Sequence, residues 1–206
     1  ATPSDQAIFN EEAFRKNVLE GLAFVAENNH FLTMGVKPTR PEPGYGYIQM
    51  GDVLCDNIYQ VQSFTEKPER DFAKIFMESG EFYWNTGLFL SNVSYLRKCF
   101  CKILPPVLRE YDKRYPEFSV ETENAYMKET FSSYPNISVD FGILEKPSNV
   151  CVMKCDFGWA DLGTWHSIYE AMQKGSNDNV IVDSDVLMED CHNTVVKMPK
   201  GKLAVL

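Results

Sequence analysis

Apolar residues recur at three- and four-residue intervals early in the chain, where Phe14, Val18, Leu22 and Val25 form one stripe. That spacing predicts a helix laid on a core. Asn10 is placed to cap it, Glu11 and Glu12 suit the positive end of the helix dipole, and Phe9 with Phe14 occupies the staple positions. The period then changes. The run from Phe31 to Val36 is short, mostly apolar and followed by Pro38, as expected of a buried strand in a partly parallel sheet. Pro41 to Tyr47 is a proline- and glycine-rich turn leading into a strand at Ile48, and Ile58 to Phe64 predicts another. Pro68 suits the start of a helix carrying Phe72, Ile75 and Phe76 on one face and ending at Gly80. Phe82 to Leu90 reads as a strand broken by the polar pair in Trp84-Asn85-Thr86-Gly87.

From Ser94 to Tyr134 the pattern is mostly helical. Leu96, Phe100, Ile103 and Leu104 share a face up to Pro105-Pro106, and helices are expected over Val107 to Tyr115, Asn124 to Phe131 and, briefly, Val139 to Lys146. Val150 to Cys155 predicts a strand, followed by a turn between Gly158 and Gly163 and a helix to about Gln173. The tail holds short β-like pieces at Val180 to Val182, Val186 to Met188, Thr194 to Met198 and Leu203 to Leu206. Such spacing suggests a β-helix or small β-appendage. The order of elements predicts an α/β core over residues 1–175 and the start of a β-helix-like appendage over 176–206. Missing an initiator Met and stopping inside an apolar β-pattern, the chain reads as truncated at both ends.

Composition narrows the function. With 206 residues, 44% hydrophobic and 24% charged, the chain is that of a globular domain and not a disordered segment. A net charge of −9 argues against a basic surface for nucleic acid or anionic lipid. No run approaches the roughly 20 apolar residues of a membrane helix, and no signal-like segment opens the chain. The six cysteines are too sparse for a disulfide scaffold and lack zinc-knuckle spacing. They read as reduced thiols of a cytoplasmic protein.

Three segments carry candidate chemistry. Glu66-Lys67-Pro68 puts a carboxylate and an ammonium at a strand end, where open α/β sheets bind ligands; on the tripeptide alone, an ordinary solvated pair before a helix is the simpler reading. Asn85 and Thr86 are costly inside an apolar strand unless a ligand or neighbouring backbone satisfies them. A simple bulge would also do so. Asp161, between Gly158 and Gly163 and flanked by Trp159 and Trp165, suits a hard divalent cation, or a turn before the following helix. The scattered His30, His166 and His192 accompany no nucleophile motif.

Taken in order, Pro3-Ser4-Asp5-Gln6, Gly35-Val36-Lys37-Pro38-Thr39, Gly44-Tyr45-Gly46-Tyr47-Ile48, Phe64-Thr65-Glu66-Lys67-Pro68, Trp84-Asn85-Thr86-Gly87-Leu88-Phe89, Ser138-Val139-Asp140-Phe141 and Gly158-Trp159-Ala160-Asp161-Leu162-Gly163-Thr164-Trp165 resemble the mannose-1-phosphate guanylyltransferases, or GDP-mannose pyrophosphorylases. The resemblance spans nearly the whole chain. It implies a Rossmann-like nucleotidyltransferase core with a mixed sheet flanked by helices, and transfer of GMP from GTP to mannose 1-phosphate with release of pyrophosphate. It also implies Mg²⁺ held by Asp5 and Asp161, which with Lys67 would be catalytic. Gly46, Glu66, Asn85 and Thr86 would bind the mannose, Lys67 its phosphate, and the subunits would form a homodimer. The family usually has Ala and His where Ser4 and Gln6 stand, and Ser at Thr86 and Thr164. Its glycine-rich triphosphate loop belongs ahead of Asp5, so this chain is expected to be the sugar-and-metal half, inactive alone. Two other readings stay open: a different sugar-1-phosphate nucleotidyltransferase, and a non-catalytic sugar-phosphate-binding regulatory module.

Overall fold

Six consecutive buried residues, Phe31–Val36, form strand β2 of a mixed sheet. In this computed structural model, which describes residues 1–103, 105–144 and 150–206, the strand pairs antiparallel with β5 (Phe82–Ser91) and parallel with β6 (Val150–Cys155). Burial on both faces explains why these strands lack polar alternation. Strand β3 (Tyr47–Cys55) lies between β5 and β4 (Ile58–Thr65), and β4 pairs with β6, so the sheet closes in the order β2-β5-β3-β4-β6. The α/β character expected from the sequence is what the chain adopts.

Helix α1 (Glu11–Glu27) packs on this sheet with Val25 of the expected stripe buried and Phe14 and Val18 half-buried. Leu22 is the exception at 47% exposed, and the neighbouring Gly21 is buried in its place. A Cβ at Gly21 would lie 2.6 Å from Leu90 Cδ1, so the missing side chain lets the helix approach the strands. Helix α2 (Arg70–Ser79) repeats the lesson. Phe72 and Ile75 are exposed; the contact is made by buried Ala73 and by Phe76, whose ring stacks on Phe82 at 4.2 Å. In both helices the smallest residue marks the closest approach.

Helices α3 (Val93–Ile103) and α4 (Pro105–Arg114) follow, the latter opening on proline, which tolerates a first-turn position because it has no N–H to satisfy. Leu96 and Phe100 pack against a core of Phe31, Ile143, Leu144 and Val150. Leu104 and the Ile103 side chain lie outside the described residues. Helix α5 (Val120–Thr130) starts four residues before the expected Asn124, because Ser119 and Thr122 form a reciprocal capping box. Over the segment expected as a short helix, Asp140–Leu144 forms a π-helical turn; Glu145 and Lys146 lie outside the described residues.

Contacts divide the chain into two compact units, Ala1–Thr2 with Glu11–Phe157, and Pro3–Asn10 with Gly158–Leu206. The second unit holds β1 (Gln6–Ile8) antiparallel to β7 (Trp159–Asp161), and helix α6 (Trp165–Ala171) capped by Thr164. Beyond it, β8 (Val180–Val182) pairs parallel with β10 (Val195–Lys197), and β9 (Asp185–Leu187) pairs parallel with β11 (Leu203–Val205). Buried Asn179 stitches successive passes together, accepting from Thr194 N at 2.9 Å and donating to Cys191 O at 2.8 Å. Among the described residues, no helix is long and apolar enough to cross a membrane.

Burial divides the thiols sharply. It pushes the Cys151 and Cys155 thiols up to about 12, while Cys55 and Cys101 are exposed. Since the thiolate is the reactive form, iodoacetamide at pH 8 should label Cys55 and Cys101 in the native chain. Cys151 and Cys155 should label only after denaturant is added; peptide mass mapping that finds them modified under native conditions would contradict this burial.

Candidate functional site

The first cluster lies in the larger unit, along one row of the sheet. Tyr47 is paired with Thr65 on one side and with Trp84 on the other, so the residue before it, Gly46, lies between Glu66 and Asn85. Backbone bonds hold this row beyond the strand ends: Asn85 N donates to Gly46 O at 2.8 Å, and Lys67 N donates to Tyr45 O at 3.2 Å. Gly46 is needed for space. A Cβ there would meet Glu66 Oε2 at 2.6 Å and Phe64 Cζ at 3.0 Å, so the Glu66 carboxylate stands directly over the glycine.

The incoming loop is stapled from its own side chains. The Arg40 guanidinium lies over the Tyr45 ring at 5.8 Å and the Trp84 ring at 5.3 Å, and its Nε is 3.2 Å from Glu42 Oε2. Glu42 N donates to Tyr47 Oη at 2.9 Å. Arg40 was not singled out by the sequence. Its signal was only the nearby Tyr45 and Trp84.

Lys67 carries a conformational signature. Its φ is +48°, although the residue before a proline is normally pushed toward extended backbone. The other non-glycine residues with left-handed backbone among those described are all Asp or Asn, whose short side chains tolerate it. A lysine held there stores strain of the kind found at ligand sites. Its Nζ lies 3.3 Å from Glu66 Oε1; the Lys67 side chain is 64% exposed and that of Glu66 only 13%. The ammonium therefore reaches solvent beside an enclosed carboxylate.

The bulge expected at Asn85 is present. Between the pairs Thr33–Phe89 and Gly35–Asn85, β5 carries Thr86, Gly87 and Leu88 against the single Met34, which is a bulge. Asn85 Oδ1 accepts from Gly87 N at 3.2 Å and from Thr33 Oγ1 at 2.8 Å, and Nδ2 donates to Asp140 Oδ1 at 3.0 Å. Thr86 stands apart from the expected sugar contact. It is 1% exposed, and its hydroxyl donates to Met34 O at 2.8 Å and accepts from Leu88 N at 3.3 Å, so it closes the bulge and supports Asn85 from behind. Asp140 stood in one of the segments that carry the resemblance, with no role given to it, and Thr33 was not singled out; their partner is 55 and 52 positions away.

The second cluster belongs to the smaller unit. Gln6 pairs with Asp161, and Leu162 N donates to Asp5 O at 3.1 Å, so Asp5 and Asp161 are one register step apart at the end of one ladder. Asp161 Oδ1 accepts from Gly163 N at 2.9 Å, which fixes the carboxylate in its turn. Asp5 is exposed and Asp161 half-buried. Among the described residues no three His, Cys, Asp or Glu side chains converge. Asp5 and Asp161 are oxygen ligands of the kind Mg²⁺ takes, an ion that keeps waters and completes its shell with substrate phosphates.

A nucleotidyl transferase family profile matches residues 4–178. The chain belongs to that family. Among curated nucleotidyl transferases, it is 32% identical over 204 residues to a mannose-1-phosphate guanylyltransferase of Sinorhizobium fredii, covering 98% of this chain and 40% of the relative. It is 30% identical over 209 residues to one of Escherichia coli, covering 99% of this chain and 45% of the relative. A crystal structure from Thermus thermophilus, described as a mannose-1-phosphate geranyltransferase, superposes with a TM-score of 0.87 at 26% identity over 100% of this chain and 58% of that one. This nucleotidyl transferase chain thus spans less than half the length of those curated relatives.

Proposed function

We propose that this chain is the sugar- and metal-binding portion of a mannose-1-phosphate guanylyltransferase, which transfers GMP from GTP to mannose 1-phosphate and releases pyrophosphate. The observation that carries the reading is the Glu66–Gly46–Asn85 row ending at the strained Lys67. It offers hydroxyl acceptors, an amide donor and one solvent-reaching cation in sequence, which is the polarity of a sugar phosphate. Relatives bearing that activity's name across nearly the whole chain support the same substrate.

In this reading Glu66 accepts from mannose hydroxyls, Asn85 donates to one, and Gly46 makes room for the ring. Lys67 neutralises the sugar's phosphate and orients one of its oxygens for in-line attack. That oxygen forms a bond to the α-phosphorus of GTP while the bond to the bridging oxygen of pyrophosphate breaks. No covalent nucleophile is required, since positioning and charge neutralisation carry such transfers. Asp5 and Asp161 would hold Mg²⁺, which when bound supplies positive charge at the reacting phosphate. The same proposal includes a homodimer in the cytoplasm, with residues 176–206 as the first rungs of a β-helix-like appendage, as the two parallel strand pairs suggest.

Lys67 gives the test. Lys67→Met should weaken mannose 1-phosphate binding by about tenfold or more, the worth of a charge-assisted contact, and leave the weak binding of free mannose unchanged. Equal affinity of wild type and Lys67→Met for mannose 1-phosphate, measured by calorimetry, would remove the phosphate from this end of the row.

A further inference from the structure

The orientation of Asn85 is fixed twice over, and this assigns a role to Asp140. A backbone N–H can only donate, so the Gly87 N contact identifies the Asn85 atom facing it as the oxygen. The other amide atom, Nδ2, then faces Asp140 Oδ1 at 3.0 Å. A carboxylate can only accept there, so the two assignments agree without any choice of flip. The Asn85 oxygen is consumed by Gly87 and Thr33. One Nδ2 hydrogen is consumed by Asp140, which leaves the second as the hydrogen that Asn85 offers a ligand.

Asp140 is held for this task. It opens the π-helical turn Asp140–Leu144, a distortion found often at functional sites. Ser138 braces the turn: its Oγ accepts from Phe141 N at 3.3 Å, and its carbonyl accepts from Gly142 N at 2.9 Å. Ile143 and Leu144 anchor the far end in the core with Phe31 and Val150. Among the described residues the carboxylate has no hydrogen bond other than that to Asn85.

We infer that Asp140 is a sugar-binding residue: one oxygen locks the Asn85 amide, and the other accepts from the hydroxyl to which Asn85 donates. The inference rests on the sugar-phosphate reading above and adds to it a second carboxylate, hydrogen-bonded to Asn85. Both carboxylates take hydrogens from the ligand. The class of ligand is therefore a polyhydroxylated ring whose hydroxyl at Asn85 accepts from the amide and donates to Asp140, an arrangement that a deoxy sugar cannot satisfy.

The test is a thermodynamic cycle by calorimetry on this chain, using mannose 1-phosphate and its 2-, 3- and 4-deoxy analogues with wild type, Asp140→Ala, Asp140→Asn and, as the reference for the site, Glu66→Gln. Asp140→Ala is expected to weaken mannose 1-phosphate by about tenfold or more. One deoxy analogue should lose affinity for wild type by a similar factor, and that loss should vanish in Asp140→Ala. A role confined to folding would weaken all four ligands alike and leave the loss in place. Asp140→Asn keeps the volume and an acceptor for Asn85, so it supplies the same cycle should the alanine variant not fold. If Glu66→Gln loses binding while both Asp140 variants bind every ligand as wild type does, the inference falls and the site stands. If folded wild type binds no mannose 1-phosphate, both fall.

Discussion

Gly46→Val is expected to reduce mannose 1-phosphate affinity by about 100-fold, through loss of the Glu66 contact and of the space for the ring. The new Cβ would lie 2.6 Å from Glu66 Oε2 and 3.0 Å from Phe64 Cζ, and both must move. Glu66 can swing aside because the clash is at the far end of a flexible side chain, so the protein should still fold. What is lost is the placement of the carboxylate and its approach to Lys67 Nζ at 3.3 Å. Circular dichroism and melting should match wild type while calorimetry registers the loss. A folded Gly46→Val chain with wild-type affinity would show that the ligand does not lie over this row.

The largest stability effect is expected at Phe157. Its side chain is fully buried and meets the Phe14 ring edge-on, with centroids 5.2 Å apart at 82°. Truncation to alanine removes the transfer energy of the ring and leaves a cavity whose walls cannot all collapse, at a cost of about 3–5 kcal/mol. Against a typical total of roughly 5–15 kcal/mol, this is a large fraction. The urea midpoint should fall sharply with an unchanged slope. A loss below about 1 kcal/mol would mean that the α1 contact is not part of the core.

Much of the fold was legible because its strands are strongly apolar and its helices carry conventional punctuation. Phe31–Val36 and Val150–Cys155 are buried nearly throughout, and their sequence runs say so directly. Which face of a helix packs was less legible. Hydrophobic periodicity places Val25 and Phe76 correctly but also favours Leu22, Phe72 and Ile75, where the buried positions are instead Gly21 and Ala73, small residues that leave larger neighbours in solvent. The start of α5 was missed for another reason. Ser119 and Thr122 form a capping box with threonine in the place usually taken by Glu or Gln.

The candidate site divided along the same line. Glu66, Lys67 and Asn85 were legible as polar interruptions at strand ends, and the sheet register gathers Glu66 and Asn85 around Gly46. Thr86 carried the same signal for a different cause, since its hydroxyl answers the Met34 carbonyl across the bulge. Asp140 stood in a segment that carries the resemblance, but its sequence surroundings gave it no role. It acquires meaning only when the fold brings a π-helical turn against Asn85, and pairwise contacts at that separation have no sequence periodicity.

The central claim is that the Glu66–Gly46–Asn85 row takes mannose 1-phosphate, and calorimetric titration of that ligand with Mg²⁺, beside glucose 1-phosphate and the Glu66→Gln variant, tests it most directly. The account predicts saturable binding that prefers mannose 1-phosphate and disappears in Glu66→Gln. Equal binding by Glu66→Gln, or no sugar-phosphate binding by a chain shown to be folded, would contradict it.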